Sequence, residues 1–243
     1  MYEIVHYGHE PAQFGELWAP GPDAPVVVLV HGGYWRARYG LDLMHAMSAD
    51  LAGRGYAVWN VEYRRVGEPG GGWPGTFEDV AAALDHLAVL ARDRPLDLTR
   101  LAVVGHSAGG HLALWLAARR ALAGAVLPTV AVSMAGVCDL AEAYRLGLSD
   151  GAVRELIGGG PDERPEVYAL ACPTRLAPLG VPQIVVHGTR DAAVPFALSA
   201  RYAAVAGPGC RLVELPGVAH FEYLDPGSAA WATVAAELAR CLA

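Results

Sequence analysis

Five consecutive apolar residues, Val26–Val30, are the sequence feature that most constrains the fold. A continuous apolar run of this length predicts a strand covered on both faces, because a strand with one solvated face alternates apolar and polar residues. Similar runs at Leu101–Gly105 and Gln183–His187 alternate with longer segments of helical pattern. This rhythm predicts an α/β protein with a mostly parallel sheet and helices on both faces.

Eight segments have the pattern of strands, which predicts an eight-stranded sheet. They are Glu3–His6, Phe14–Trp18, Val26–Val30, Ala57–Val61, Leu101–Gly105, Thr129–Ala135, Gln183–His187 and Arg211–Leu215. Helices are predicted at Leu41–Gly53, from Thr76 (as the N-terminal cap) to about Arg92, at Ala108–Ala121 and at Ser228–Leu242. The stretch Cys138–Gly180 breaks the rhythm and is rich in Gly, Pro and charged residues, which predicts a small lid or insertion.

The composition fits one domain over residues 1–243, because 53% of the residues are hydrophobic and can form a large core. The net charge of −7 argues against nucleic acid or an anionic membrane as a partner. The first residues lack the basic start and apolar run of a secretory signal. Four scattered cysteines without a CxxC pair favour reduced thiols, and we expect a cytoplasmic protein without a metal site.

A GxSxG motif, Gly105–Gly109, joins a predicted buried strand directly to a predicted buried helix. In this setting the small residues allow a sharp bend that exposes the hydroxyl of Ser107. The N–H groups at the start of the following helix favour negative charge that develops at the same point. Ser107 is therefore the candidate nucleophile.

A nucleophilic serine needs a base, and the base needs an orienting carboxylate. Asp191 follows the strand Gln183–His187, and His220 follows the strand Arg211–Leu215. The carboxyl ends of parallel strands form the edge where such sheets build their sites, and the chain order Ser107, Asp191, His220 is the one that this arrangement uses. Asp139 also follows a strand and is the second candidate for the acid.

The strand Val26–Val30 carries the segment His31–Trp35 (HGGYW) to the same edge. Glycines let the backbone approach closely and direct N–H groups inward. The N–H groups of Gly33, Tyr34 and Ala108 are the candidate oxyanion hole, with Gly32 shaping the turn. Four aromatic residues near these loops, Trp35, Tyr63, Trp73 and Phe221, could line a substrate pocket or could pack the loops.

From Val26 to Phe221 the chain resembles the α/β-hydrolase superfamily. Within it, HGGYW resembles the HGGxW motif of kynurenine formamidases (arylformamidases), and GHSAGGHLA at Gly105–Ala113 is similar to their nucleophile segment. The hormone-sensitive-lipase-like esterases carry HGGG, from which Tyr34 departs. The resemblance implies an α/β-hydrolase fold in which Ser107, Asp191 and His220 are the nucleophile, acid and base.

These inferences predict a serine hydrolase that cleaves a small-molecule ester or amide through an acyl-enzyme, with no metal or organic cofactor. Two substrate classes remain open, an aryl formamide such as N-formylkynurenine and a short-chain carboxylic ester. A non-catalytic α/β-hydrolase-fold binding protein is the third possibility, although such a protein is expected to have lost a triad residue. The sequence leaves the oligomeric state open, and a homodimer is one candidate.

Overall fold

The computed structural model describes residues 1–18, 21–119 and 125–243. Those residues form one sheet with helices packed around it. The strands are β1 (Glu3–His6), β2 (Phe14–Trp18), β3 (Ala24–Val30), β4 (Ala57–Val61), β5 (Leu96–His106), β6 (Val130–Met134), β7 (Gln183–Gly188) and β8 (Cys210–Leu215). The α-helices are α1 (His45–Gly53), α2 (Gly75–Leu90), α3 (Ala108–Ala118), α4 (Leu140–Arg145), α5 (Leu148–Ile157), α6 (Pro165–Ala171), α7 (Pro173–Leu176), α8 (Phe196–Ala206) and α9 (Ala229–Cys241).

The sheet has eight strands in the order β1-β2-β4-β3-β5-β6-β7-β8. The six strands from β4 to β8 in this order are parallel, β2 pairs antiparallel with β4, and the edge strand β1 pairs antiparallel with β2. The prediction of a mostly parallel eight-stranded sheet is confirmed. Because the strands are parallel, the loops after β3, β5, β7 and β8 meet at one edge of the sheet.

The two faces of the sheet pack into two separate hydrophobic cores, which explains the unbroken apolar run in β3. Val28 belongs to the core that contains side chains of α2 and α3, whereas Leu29 belongs to the core of α1 and α9. Successive side chains of a strand point to opposite faces, so a strand between two helix layers needs apolar residues at every position. The burial of β3 thus follows directly from its sequence.

The structure corrects the predicted helix bounds and one predicted cap. Helix α3 ends at Ala118, and residues 120 and 121 of the predicted helix lie outside the described residues. Helix α2 begins at Gly75, and Thr76 is not its cap. The hydroxyl of Thr76 instead donates to the carbonyl of Arg64 and accepts from the N–H of Gly72, which ties the preceding loop to the helix. The segment 138–180 contains α4 to α7.

Candidate active site

Ser107 lies at the sharp turn between β5 and α3, in a strained backbone conformation with φ 57° and ψ −118°. This region of the backbone map is unfavourable for a residue with a side chain and occurs mainly at functional sites. The turn also requires glycines on both sides. A Cβ at Gly105 would lie 2.0 Å from the carbonyl oxygen of Gly109, and a Cβ at Gly109 would lie 2.0 Å from that of Val30.

The structure joins two of the three predicted triad residues by a hydrogen bond. Nδ1 of His220 donates to Oδ2 of Asp191 over 2.7 Å. The side chain of Asp191 is fully buried and that of His220 is 7% exposed. Because Nδ1 carries the proton, Nε2 of His220 is the nitrogen that can accept a proton during catalysis.

Asp191 lies in a site that stabilises its ionised form. Its Oδ1 accepts from the backbone N–H groups of Ala193 and Val194, and its Oδ2 also accepts from Nε2 of His187. Burial alone raises the pKa of a carboxyl group, but the hydrogen bonds from His187, His220 and Val194 outweigh burial and lower the pKa of Asp191 well below its ordinary value. The carboxylate therefore stays charged beside His220.

Ser107 and His220 line the same cavity, which has a volume of about 180 Å³. The hydroxyl of Ser107 has no hydrogen-bond partner among the residues the structure describes, so it is not held away from a substrate. No hydrogen bond joins it to His220 either within those residues, and such catalytic contacts often shorten only when substrate binds. The cavity is smaller than the roughly 300–1,000 Å³ of sites for drug-sized ligands.

The predicted oxyanion-hole residues lie beside this cavity. Gly33 and Tyr34 line it, and both have positive φ values of 102° and 50°. Their N–H groups donate to no other group among the described residues. Ala108 is the first residue of α3, where helical N–H groups have no partner within the helix. Gly32 packs against the nucleophile turn, since a Cβ there would lie 3.0 Å from Cβ of Ser107.

The loop that carries Gly33 and Tyr34 is fixed by a buried charged cluster that the sequence analysis did not find. Nε2 of His31 donates to Glu62 over 2.8 Å, and the carboxylate of Glu62 also pairs with Arg65 at 3.2 Å. The ring of His31 stacks on that of Tyr63 with centroids 4.4 Å apart. The available sequence signal was Glu62, a charged residue directly after the fully buried strand β4, with Arg65 three residues further on.

Of the four aromatic residues proposed for the pocket, only Phe221 lines the cavity. Trp35 is fully buried and packs edge-on against His111. Tyr63 is fully buried and its hydroxyl donates to the carbonyl of His31. Trp73 packs against the ring of Phe77. The pocket assignment is therefore wrong for Trp35, Tyr63 and Trp73, because contacts with α3, with His31 and with α2, respectively, hold these rings away from the cavity.

Several residues that line the cavity were not singled out from the sequence, among them Arg38, Tyr39 and Ser149. Arg38 and Tyr39 lie three and four residues after the HGGYW segment, and their position on the same loop after β3 (the oxyanion loop, which carries Gly33 and Tyr34) was the available signal. Ser149 belongs to the insertion 138–180, and no local pattern connects it to the site. The guanidinium of Arg36 donates to the backbone oxygen of Ser149 and pairs with Glu155, which fastens the insertion to the oxyanion loop.

Asp139, the second candidate for the acid, and two buried histidines near the site have structural roles. The carboxylate of Asp139 caps α4 by accepting from the N–H of Glu142. His106 bonds the carbonyl of His220 through Nε2 over 2.8 Å, and burial, together with the neighbouring His220, lowers its pKa to about 3. His111 is buried and bonds the carbonyl of Ala171. Asp139 and His111 do not line the cavity, and His106 lines it but has its Nε2 engaged by the carbonyl of His220.

Comparison with known proteins gives one family match and several relatives. The BD-FAE family model matches residues 19–204 of this chain. Esterase LipC of Mycobacterium tuberculosis is 32% identical over 250 residues, which cover 91% of this chain and 60% of LipC. An uncharacterized protein of the same species is 31% identical over 182 residues, which cover 72% of this chain and 58% of that protein. The chain thus spans about three fifths of the length of these curated relatives.

Solved structures with similar folds are esterases of low sequence identity. A truncated carbohydrate esterase from gut microbiota superposes with a TM-score of 0.84 at 19% identity, covering 99% of this chain and 95% of its own. The esterase Est2 of Thermogutta terrifontis has a TM-score of 0.77 at 22% identity, covering 98% and 90%. Est2 has also been solved after phosphorylation by paraoxon. These likenesses confirm the predicted α/β-hydrolase fold.

No helix among the described residues is both long and apolar enough to span a membrane.

Proposed function

The chain belongs to the BD-FAE family, an α/β-hydrolase-like esterase family, and on this premise we propose that it is a serine carboxylesterase for small esters. The observation that carries the proposal is the cavity that Ser107 and His220 share, with His220 bonded to a buried, charged Asp191. Esterase LipC, the relative that matches 91% of this chain, supports the same reaction class.

In the proposed mechanism, Oγ of Ser107 attacks the carbonyl carbon of the ester while Nε2 of His220 takes the hydroxyl proton. The negative charge then develops on the carbonyl oxygen, within reach of the N–H groups of Gly33, Tyr34 and Ala108. His220 returns its proton to the leaving alcohol, which departs and leaves an acyl-enzyme. A water molecule, deprotonated by His220, hydrolyses that acyl-enzyme and regenerates Ser107.

Two features favour a small acyl group. The cavity of about 180 Å³ is small, and Tyr34 narrows it because its hydroxyl is held by a 2.6 Å hydrogen bond to the carbonyl of Ala193. The insertion 138–180 contributes Ser149 to the wall, in line with a role as a lid. We therefore propose acetyl and butyryl esters as better substrates than long-chain esters.

Aryl formamides remain a second candidate substrate class on the strength of the HGGYW segment alone. The esterases among the relatives favour the ester instead. A direct comparison of p-nitrophenyl acetate, p-nitrophenyl butyrate and N-formylkynurenine decides between them. A higher kcat/KM for the esters supports the proposal, and a higher kcat/KM for the formamide replaces it with a formamidase.

The nucleophile is tested by labelling with paraoxon, which transfers a diethylphosphoryl group to an activated serine. We expect mass spectrometry to find one adduct on the peptide that carries Ser107, and none in Ser107→Ala. Ser149→Ala is the matched control, because Ser149 lines the same cavity, and among the described residues its hydroxyl accepts from Arg36 and bonds no histidine. Labelling of Ser107→Ala at the wild-type rate would contradict the assignment. Absence of both labelling and hydrolysis in the wild type would favour the non-catalytic binding protein.

A further inference from the structure

We propose that Arg38 is a subsite for an anionic group, such as a carboxylate, on the alcohol part of the ester. This inference rests on the proposed esterase activity. Arg38 lines the same cavity as Ser107 and His220, and its side chain is exposed at the cavity mouth. In the proposed function the small cavity holds the acyl group, so the leaving alcohol is the part of the substrate that extends toward an exposed residue.

The guanidinium of Arg38 is held by an aromatic ring rather than by an acid. Its central carbon lies 4.9 Å from the ring centroid of Tyr39. The side chain of Tyr39 packs closely on the oxyanion loop, because a Cβ at Gly33 would lie 2.5 Å from its Cβ and from two of its ring atoms. In the part of the chain that the structure describes, no carboxylate lies within 4 Å of Arg38. The cation is thus positioned, and its charge is available to a ligand.

The charges around the cavity would let Arg38 select anionic substrates. No aspartate or glutamate is among the described residues that line the cavity, whereas the chain as a whole carries a net charge of −7. The overall charge repels anions, so acceptance of an anionic substrate depends on a local cation. Phe221, 69% exposed at the same cavity, offers an apolar surface for an aromatic alcohol.

The test compares 4-acetoxybenzoate with its neutral counterpart 4-acetoxybenzamide, which have the same acyl group and similar shape. We expect Arg38→Gln to lower the ratio of their kcat/KM values about two- to five-fold, as for an exposed charge pair, and high salt to have the same effect on the wild type. Arg92→Gln is the control, because Arg92 is exposed, lies beyond the end of α2 and removes the same charge.

The two possible failures are distinguishable. Hydrolysis of both compounds with a ratio that is the same in Arg38→Gln, Arg92→Gln and wild type would overturn the subsite and leave the esterase intact. Absence of hydrolysis of both compounds by the wild type would overturn the proposed function itself.

An independent observation concerns His187, and we infer that it is a positioning residue for Asp191. Nε2 of His187 lies 3.1 Å from Oδ2 of Asp191, the same oxygen that accepts from His220. Nδ1 of His187 lies 2.7 Å from the hydroxyl of Ser199. The hydroxyl of Ser199 donates to Nδ1, which leaves the proton on Nε2 and directs it at Asp191 and at the carbonyl of Val194.

His187 therefore fixes the carboxylate oxygen on which His220 depends, without contacting the cavity itself. His187 is the penultimate residue of β7 and its ring is fully buried, so its position is set by the sheet. Loss of its N–H would let the carboxylate rotate about its backbone N–H bonds and would misalign His220. The expected loss is in kcat, because substrate binding involves neither His187 nor Asp191.

The test is a matched pair of substitutions. The amide nitrogen of the glutamine in His187→Gln can reach the place of Nε2, whereas that of the asparagine in His187→Asn reaches only the place of Nδ1. For p-nitrophenyl acetate, we expect kcat to fall about ten-fold in His187→Asn, the value of one charge-assisted hydrogen bond, with KM unchanged. His187→Gln should restore most of kcat. Equal losses in both variants, with equal losses of Tm, would show a packing role and overturn the inference.

Discussion

Glu62 holds both ends of the oxyanion loop through hydrogen bonds to His31 and Leu41. Its replacement by glutamine tests how much these contacts stabilise the fold. Its side chain is 5% exposed and each oxygen accepts two hydrogen bonds. Oε1 accepts from Nε2 of His31 and the N–H of Tyr63, and Oε2 accepts from the N–H of Leu41 and from Arg65. A glutamine has the same shape, but its NH₂ group faces two donors in either orientation.

The expected loss of stability follows from these contacts. Two hydrogen bonds to a charged acceptor are lost and a buried ion pair is broken, so we expect Glu62→Gln to lower the free energy of unfolding by about 3–5 kcal/mol. At about 2–4 °C per kcal/mol for a chain of this size, Tm falls by at least about 6 °C. The control is Glu68→Gln, which removes a carboxylate from the same Arg65 at the same sequence separation. Glu68 is more exposed, at 27%, so its loss costs about 1 kcal/mol.

The loss of Tm in Glu62→Gln should depend on pH. Burial alone raises the pKa of Glu62, but His31, Arg65 and the hydrogen bonds outweigh burial and lower it. The stabilisation by Glu62 is therefore fully present above the unfolded pKa, near about 4.3, and is lost as pH falls through the lower folded pKa. Melting curves followed by circular dichroism should show a constant Tm difference from pH 8 to 6 and a smaller one below about pH 4. A Tm of Glu62→Gln equal to that of Glu68→Gln, or a difference that widens in acid, would refute this reasoning.

Three further predictions concern catalysis, packing and thiol chemistry. Asp191→Asn should lower kcat for p-nitrophenyl acetate by about 10⁴-fold, because the amide favours the wrong tautomer of the histidine, and a loss below ten-fold would argue against the triad. Gly109→Ala should lower Tm and kcat together, since its Cβ would lie 2.0 Å from the carbonyl oxygen of Val30, at a cost of about 1–3 kcal/mol. Gly53→Ala, with nothing within 4 Å of its Cβ, should leave Tm unchanged or raise it. Burial raises the pKa of the Cys138 thiol to about 12, so iodoacetamide at pH 8 should modify Cys138 in guanidinium but not in the native protein; rapid labelling of the native thiol would contradict its burial.

The local pattern of the chain was sufficient to predict the strands and the position of the candidate nucleophile. Strands β1, β2 and β4 begin and end at the predicted residues, because each is a short segment rich in β-branched or aromatic residues. The helix ends were less predictable. Thr76 resembles an N-terminal cap by its place before Phe77 and acidic residues, but its hydroxyl bonds the distant loop carbonyl of Arg64 instead. Hydrogen-bond partners far apart in sequence decide such cases.

The contacts of the aromatic residues and histidines near the site were likewise not predictable from the local sequence. Trp35 and Phe221 each follow a residue assigned to the site, yet one is fully buried and the other is 69% exposed. His187 lies within β7 and His220 lies in the loop after β8, and only their distances from Asp191 show that they share one carboxylate oxygen. A side chain's neighbours across the sheet are set by packing, which a single sequence does not encode locally.

The sequence alone determined the class of this protein, because apolar runs, the GxSxG turn and the order of Ser107, Asp191 and His220 are local features whose physics acts within a few residues. Only the tertiary structure decided which side chains face the cavity. Parallel strands bring loops together from positions more than a hundred residues apart, and burial then divides their side chains between the core and the site. The loop after β3 turns at three successive residues with positive φ, Gly33–Trp35, and it places Trp35 in the core and Arg38, three residues later, at the cavity.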